Sequence, residues 1–385
     1  MFTSLGEKGI STYTKRLVNE MPSLDSNLTV EIVGLQESFL IRMNPFRYIQ
    51  GRRLYKKLGE NMNRGDIAHI QHEYSLFCLW TNPFENMYKP FRKRIKKPVV
   101  ITVHELEERK KSKTLLKRLI KIPYYKIFFR YLRYVNAGMF QECDAVIVHT
   151  EEARQTLIGR GVDQAKINFI PHGIPLVNKS KKSVEEDKRT YGVDGKVVLM
   201  TWGYISYRKG QDLIIDILAK LPEHVVYIIA GGVSEQEKHF SSYYTSLLEK
   251  INTAGLSDRV IFTGSVSDAD VKYIMNAADI VISPAREMTA SGSLSESIGY
   301  EKVILAANLP FMQEIYEAIP CIRLFPAGES NGLLKELMWL LDNPSSWHEY
   351  SKKAGEYKEL ASFKNAAEKT VAIYNAIEKK YGRTA

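Results

Sequence analysis

Cysteine is scarce in this chain of 385 residues, which has only Cys78, Cys143 and Cys321. The three share no metal-ligand spacing and are too few for a disulfide scaffold, which points to a reducing compartment. No run of about 18 apolar residues occurs, so no segment reads as membrane-spanning. The opening MFTSLGEKG carries no secretory pattern. Two nucleotide-binding signatures are also missing. Neither the GxGxxG dinucleotide fingerprint nor a P-loop ending in GK[ST] is present, which argues against hydride transfer and ATP hydrolysis. Internal repeats and low-complexity tracts are absent too.

The length favours two domains, and 44% apolar with 25% charged residues fits an ordinary globular protein. Charge is unevenly spread. Residues 1–180 carry 30 Lys/Arg against 17 Asp/Glu, while residues 181–385 carry 24 against 27. The overall net charge of +10 is therefore a positive field confined to the first half. Its densest part is Arg109 to Arg133, with ten basic residues, no acids, and interleaved Leu, Ile, Tyr and Phe.

Hydrophobic periodicity assigns the elements. Tyr13, Leu17 and Met21 recur at four-residue spacing and predict a helix over ISTYTKRLVNEM. TVEIVGL, PVVITVH, AVIVHT and KINFIPHG read as strands of the first half. IPLVNKSKKSVEEDKRTYGVDG, polar and rich in breakers, reads as a linker. A second series follows in VVLMTWG, HVVYIIAGG, RVIFTGSV, ADIVISP and KVILAA, with a helix expected from Asp212 to Leu221. The tail FKNAAEKTVAIYNAIEKKYG is one more helix. Strands that are apolar throughout and alternate with helices argue for a parallel sheet in each half.

Four segments put small residues just after predicted strands of the second half: TWGYISYRKG, IIAGG, FTGSV and SPAREMTASGSLSE. Small side chains at a helix start leave backbone amides accessible, a favourable setting for phosphate, and Lys209 would add a point charge. Asp279 and His172 read as structural, one satisfying a turn and the other shaping a hinge.

The order of these segments resembles the retaining glycosyltransferases of the GT-B fold, family 4 (glycosyl transferases group 1), over nearly the whole length. GEKGISTYTKRL, IQHEYSLF, VVITVHE, INFIPHGIP, WGYISYRKGQDLI and the stretch PAREMTASGSLSE carry the likeness. It implies an α/β protein of two Rossmann-like domains whose parallel sheets face a central cleft. An acceptor-binding domain would span residues 1–175 and a nucleotide-sugar-binding domain residues 176–361, with a terminal helix at 362–385 packing back toward the first. The implied reaction moves a hexose from a GDP- or UDP-sugar to a hydroxyl of a glycan or lipid-linked acceptor. The anomeric configuration would be retained, with neither metal nor other cofactor.

The resemblance also assigns roles. Glu296 would hold the donor ribose, Lys209 and Arg208 the leaving diphosphate, and His104 the transferred sugar. Gly9, Gly264, Val266, Ser291, Gly292 and Ser293 would complete the donor side, and His72 and Glu73 would line the acceptor side. The chain departs from the family twice. Members commonly carry two glutamates eight positions apart; Met288 stands eight before Glu296, leaving the adjacent Glu287 as the candidate catalytic carboxylate. Ser206 occupies the place where members often carry an arginine.

The basic, aromatic-rich stretch reads as an interfacial amphipathic helix. Lys117, Arg118, Lys121, Tyr124 and Phe128 would meet an anionic membrane surface, placing the protein in the cytoplasm and peripherally on the cytoplasmic leaflet. The alternatives are a basic nucleic-acid- or membrane-binding protein without transferase activity, or a nucleotide-sugar epimerase of similar plan. The first leaves the second-half motifs unexplained and matches no nucleic-acid motif, so no nucleic-acid partner is expected. The second needs an acid/base set that the sequence does not supply.

Overall fold

The computed structural model describes residues 1–5, 9–35, 45–73, 76–77, 87–106, 138–233, 242–288 and 290–382. Two compact units result: Met1–Gly173 together with Phe363–Ala385, and Ile174–Ser362. The basic segment, with Lys117, Arg118, Lys121, Tyr124 and Phe128, lies outside the described residues. Among the described residues no helix is long and apolar enough to cross a membrane.

The first unit holds strands β1 (Phe2–Ser4), β2 (Val33–Leu35), β3 (Ala68–His72), β4 (Val99–Val103), β5 (Ala145–Val148) and β6 (Ile167–Phe169). They form one sheet in the order β2-β1-β3-β4-β5-β6, paired in parallel. The second unit repeats the plan with β7 (Val197–Trp202), β8 (Val225–Ala230), β9 (Val260–Gly264), β10 (Ile280–Ser283), β11 (Val303–Ala307) and β12 (Ile322–Phe325). Its order is β12-β11-β10-β7-β8-β9, again parallel. Strands buried on both faces explain the unbroken apolar runs. In β8, Val226, Ile228 and Ala230 enter the core on one side of the sheet, and Val225, Tyr227 and Ile229 the core on the other.

Sheet order fixes where a ligand can bind. In the second unit the chain starts at β7, builds outward through β8 and β9, then returns to the other side of β7 with β10. The two loops leaving adjacent strands β7 and β10 therefore run in opposite directions and open a crevice at the carboxyl edge. In the first unit the same reversal falls between β1 and β3.

The terminal helix Phe363–Lys380 belongs to the first unit. Its Phe363, Ala367, Tyr374 and Ile377 share a core with Tyr13, Leu17 and Met21 of the helix Ile10–Glu20 and its continuation. Tyr374 also hydrogen-bonds His69 from this helix. Some elements differ from expectation. TVEIVGL is extended but joins the sheet only over Val33–Leu35, and the helix from Asp212 ends at Leu218. The turn-rich run after Gly173 is part of the second unit and contains the helix Val184–Thr190. That helix is started by a capping box: Ser183 Oγ accepts from the Glu186 amide, and Glu186 accepts from the Ser183 amide.

Both units secure the opposite, amino edge of the sheet in one way. Asp144, before β5, accepts from the Val99 amide at 2.8 Å; Asp279, before β10, accepts from the Val198 amide at 2.7 Å. Asp279 also pairs with the buried ammonium of Lys188 at 2.9 Å. Its removal leaves that buried ammonium with the longer pairing to the half-exposed Glu185 at 3.6 Å. Asp279→Ala is expected to cost about 3–5 kcal/mol of unfolding free energy by urea denaturation. A loss below about 1 kcal/mol would contradict this role.

Candidate functional site

The crevice at the β7–β10 reversal is built from backbone that tolerates no side chain. Gly231, at φ +147°, sits so close to the Gly203 carbonyl that a Cβ would lie 2.0 Å from its oxygen. Gly210, at φ +72°, faces the Pro284 carbonyl, where a Cβ would lie 2.2 Å away. The loops after β7, β8 and β10 thus pack backbone to backbone, which is why glycine follows these strand ends.

A side-chain clamp joins the same two loops. Arg286 donates to both carboxylate oxygens of Asp212 (2.8 and 2.6 Å) and to the Tyr207 carbonyl (2.9 Å). Its guanidinium lies 4.2 Å from the centre of the Tyr207 ring, and its amide donates to the Arg208 carbonyl at 2.8 Å. Tyr243 completes the group by donating to Asp212 at 2.6 Å. Held this way, Lys209 reaches across the crevice, and its Nζ donates to Ser293 Oγ at 3.2 Å. Ser293 Oγ lies 3.0 Å from Ser291 Oγ, which caps the helix Gly292–Gly299 by accepting from the Leu294 amide. Burial, with Arg208 nearby, pushes the Lys209 ammonium down to about 8.

One turn further on, Glu296 accepts from Trp202 Nε1 at 3.0 Å, a bond that fixes one carboxylate oxygen. Lysine, two serines, a helix amino end and a positioned carboxylate therefore meet at the carboxyl edge of the sheet. An anion bound there would face both the ammonium and the positive end of the helix dipole.

The expected residues do not all converge here. Gly264, at φ +66°, forms an isolated bridge with Gly231, and Val266 is half-buried beside it on the β9 side. Glu287 is exposed, whereas Met288 is buried in the core of the second unit. The position of the family glutamate has thus become a packing position. Asp268 and Asp270 have an Asp-x-Asp spacing that the sequence reading passed over. Asp270 accepts from Ser267 Oγ at 2.6 Å and leads into the helix Val271–Ala277.

In the first unit four histidines follow or end four adjacent strands: His72 on β3, His104 after β4, His149 after β5 and His172 after β6. The rings of His104, His149 and His172 each lie within 5.2 Å of the Tyr13 ring centre. His104 Nε2 lies 2.7 Å from Gln71 Oε1, so that nitrogen is the donor; His149 Nδ1 donates to the Ile170 carbonyl at 2.9 Å. His72 does not fit an acceptor-side position. It is buried, stacked on Phe77 and edge-on to Phe140, leaving only its neighbour Glu73 partly exposed. Gly9 is exposed at φ +65° and precedes the helix bearing Tyr13.

Sequence reasoning missed Tyr13, Gln71, His149, Trp202 and Asp212 as site partners. Each acts across strands or loops that are remote in sequence, where periodicity carries no signal. His149 alone had one, because it follows its strand as His104 does.

With this geometry in view, comparison with known proteins is direct. The model of "Glycosyl transferases group 1" matches residues 183–360, and that of "Glycosyltransferase Family 4" matches residues 11–177. The Anabaena protein Alr3699/HepE, solved with UDP and glucose, superposes with a TM-score of 0.74 at 17% identity, covering 97% of this chain and 98% of that one. The architecture is the GT-B fold. The chain belongs to the group 1, family 4 glycosyltransferases. It is 29% identical over 205 residues to mannosylfructose-phosphate synthase of Agrobacterium fabrum, covering 46% of this chain and 44% of that protein. It is 25% identical over 262 residues to alpha-monoglucosyldiacylglycerol synthase of Streptococcus pneumoniae, covering 65% and 53%. The matched regions span about half the length of these curated relatives.

Desolvation keeps the first unit's histidines neutral. It pushes His72 and His149 down to about 4 and His69 and His172 to about 3, and holds His104, among other imidazoles, well below the usual range. An unfolded chain takes up these protons near pH 6.5 while the native chain does not, so stability is lost as pH falls from about 6.5 toward 4. Each histidine contributes up to about 1.4 kcal/mol per pH unit. The melting temperature should drop steeply between pH 7 and pH 5. An unchanged value would show that these rings take up protons in the folded state.

Proposed function

We propose that this protein is a retaining glycosyltransferase that moves a hexose from a UDP- or GDP-sugar to a hydroxyl of a glycan or lipid-linked acceptor. The observation that carries the reading is the Lys209–Ser293 contact at the start of the helix Gly292–Gly299. It supplies a cation and a hydroxyl where a leaving diphosphate would gather negative charge. Glu296, held by Trp202, is placed to accept from ribose hydroxyls one turn along. On this reading the acceptor hydroxyl attacks the anomeric carbon on the face from which the diphosphate departs. The bond from carbon to phosphate oxygen breaks, a bond from carbon to acceptor oxygen forms, and the acceptor proton passes to the departing phosphate. The products are the glycoside and the nucleoside diphosphate.

Positioning and electrostatics are then the protein's main contributions. Lys209 provides the charge that a metal provides elsewhere, so the proposal includes turnover without a divalent ion. His104, beside Tyr13, would hold the transferred sugar from the first unit, with Gly9 allowing close approach of backbone. Glu287, exposed on the loop after β10, is the proposed carboxylate toward the sugar. Lys209→Ala should lower turnover of the correct donor by about 10²-fold or more while leaving the melting temperature nearly unchanged. EDTA should not affect the wild type. Near-normal turnover of the variant, or activity lost in EDTA and restored by magnesium or manganese, would contradict the mechanism.

A lipid-linked acceptor is supported by the basic, aromatic-rich sequence from Arg109 to Arg133 and by similarity to alpha-monoglucosyldiacylglycerol synthase. Each basic residue near an anionic surface contributes about 1 kcal/mol. The protein would act from the cytoplasmic leaflet without spanning it. In liposome flotation the wild type should rise with vesicles containing anionic lipid, and charge reversal at Lys117, Arg118 and Lys121 should abolish this. Equal recovery with neutral vesicles, or none with either, would favour a soluble acceptor.

A further inference from the structure

Beneath the Lys209–Ser293 contact lies a recess of about 340 Å³, counting its open mouth. Lys209, Gln211, Thr201, Trp202, Ser293 and Ser297 are among the residues lining it. Gln211 is 1% exposed, and its side-chain NH₂ donates to the Tyr204 carbonyl at 3.1 Å. That bond fixes which end of the amide is the oxygen. Gln211 Oε1 is buried and has no hydrogen-bond partner among the described residues. A buried carbonyl left in this state costs about 1–3 kcal/mol, which is uncommon in a well-packed unit. Lys209 lines the same recess; its Nζ has three protons to donate and, among the described residues, makes one hydrogen bond, to Ser293. The residues that carry this acceptor and this donor thus line one recess of mixed polar and apolar character.

We infer that Gln211 is a positioning residue for Lys209, its side-chain oxygen accepting a hydrogen bond from one water in the recess that itself accepts from the ammonium. Such a water has Lys209 Nζ, Gln211 Oε1 and Thr201 Oγ1 to choose from, within the two to four partners that a buried water normally makes. The consequence concerns donor binding. When a diphosphate takes over the contact with Ser293, the ammonium stays anchored from behind and is presented at fixed height. The inference deepens the donor-site reading above and rests on it for its functional consequence, though not for its geometry.

Titration of the Lys209 ammonium in protein labelled with ¹³C-lysine, its signal assigned with Lys209→Arg, tests this without any donor. The wild-type midpoint is expected at about 8. Gln211→Leu removes an acceptor that favours the charged form, so the midpoint should fall by about one pH unit. Gln211→Glu should raise it. Gln211→Met gives a second, longer apolar replacement if the leucine variant folds poorly. At pH 8 the apolar variants should bind UDP or GDP at least fivefold more weakly than wild type, with affinity for the bare nucleoside unchanged. A midpoint that stays put in the apolar variants overturns the inference, as does an equal loss for nucleoside and diphosphate. A wild type that binds neither UDP nor GDP would instead overturn the donor-site reading, and the Lys209 titration would still decide the role of Gln211.

Discussion

The ion pair between Arg286 and Asp212 is the interaction on which the candidate donor site depends. It joins the loop after β7 to the loop after β10, at 2.6–2.8 Å through both carboxylate oxygens. Besides it, the two loops share the bonds from Arg286 to the Tyr207 and Arg208 carbonyls, the Tyr207 ring contact and the tight approach at Gly210. A lysine with four flexible methylenes serves a diphosphate well only when its Cα is fixed relative to the opposing helix end. Tyr207 stacks on the guanidinium and Tyr243 donates to the carboxylate, so the pair is shielded on more than one side. The arrangement makes Arg286 part of the scaffold and directs it away from any bound anion.

The two units solve the same structural problem at one edge and diverge at the other. At the amino edge each uses an aspartate to hold an amide at the start of a neighbouring strand, Asp144 for Val99 and Asp279 for Val198. At the carboxyl edge the second unit has glycine, serine and lysine, suited to an anion. The first unit has Tyr13 ringed by neutral imidazoles that offer donors and acceptors. Neutral, amphipathic rings suit a carbohydrate surface better than a phosphate.

Much of this was legible in the sequence. Strands buried on both faces announce themselves as apolar runs, so PVVITVH, HVVYIIAGG and ADIVISP were readable directly. The glycine-rich strand ends were readable because a close backbone approach admits no other residue; Lys209 and the small residues near Ser291 were singled out from their place beside them, and Glu296 from the family resemblance. Short edge strands were harder: TVEIVGL pairs over three residues only, because an edge strand needs little burial. The supposed linker was misjudged because polar composition says nothing of a capping box, or of the buried pairing of Lys188 with Asp279. His72 was misplaced for a related reason. A histidine ending a strand can face either side, and here Phe77 and Phe140 enclose it. Met288 shows the converse, a family site position recruited to the core, which spacing exposed but could not explain.

The central claim is that a positively charged Lys209, set against the start of the helix Gly292–Gly299, recognises the diphosphate of a sugar donor. Calorimetric titration with a nucleoside diphosphate and the matching monophosphate, from pH 7 to pH 9.5, tests it most directly. The account predicts a clear preference for the diphosphate at pH 7 that shrinks above about pH 8, where Lys209 loses its proton. Equal affinity for the two nucleotides at pH 7, or a preference that does not change across this range, would contradict it.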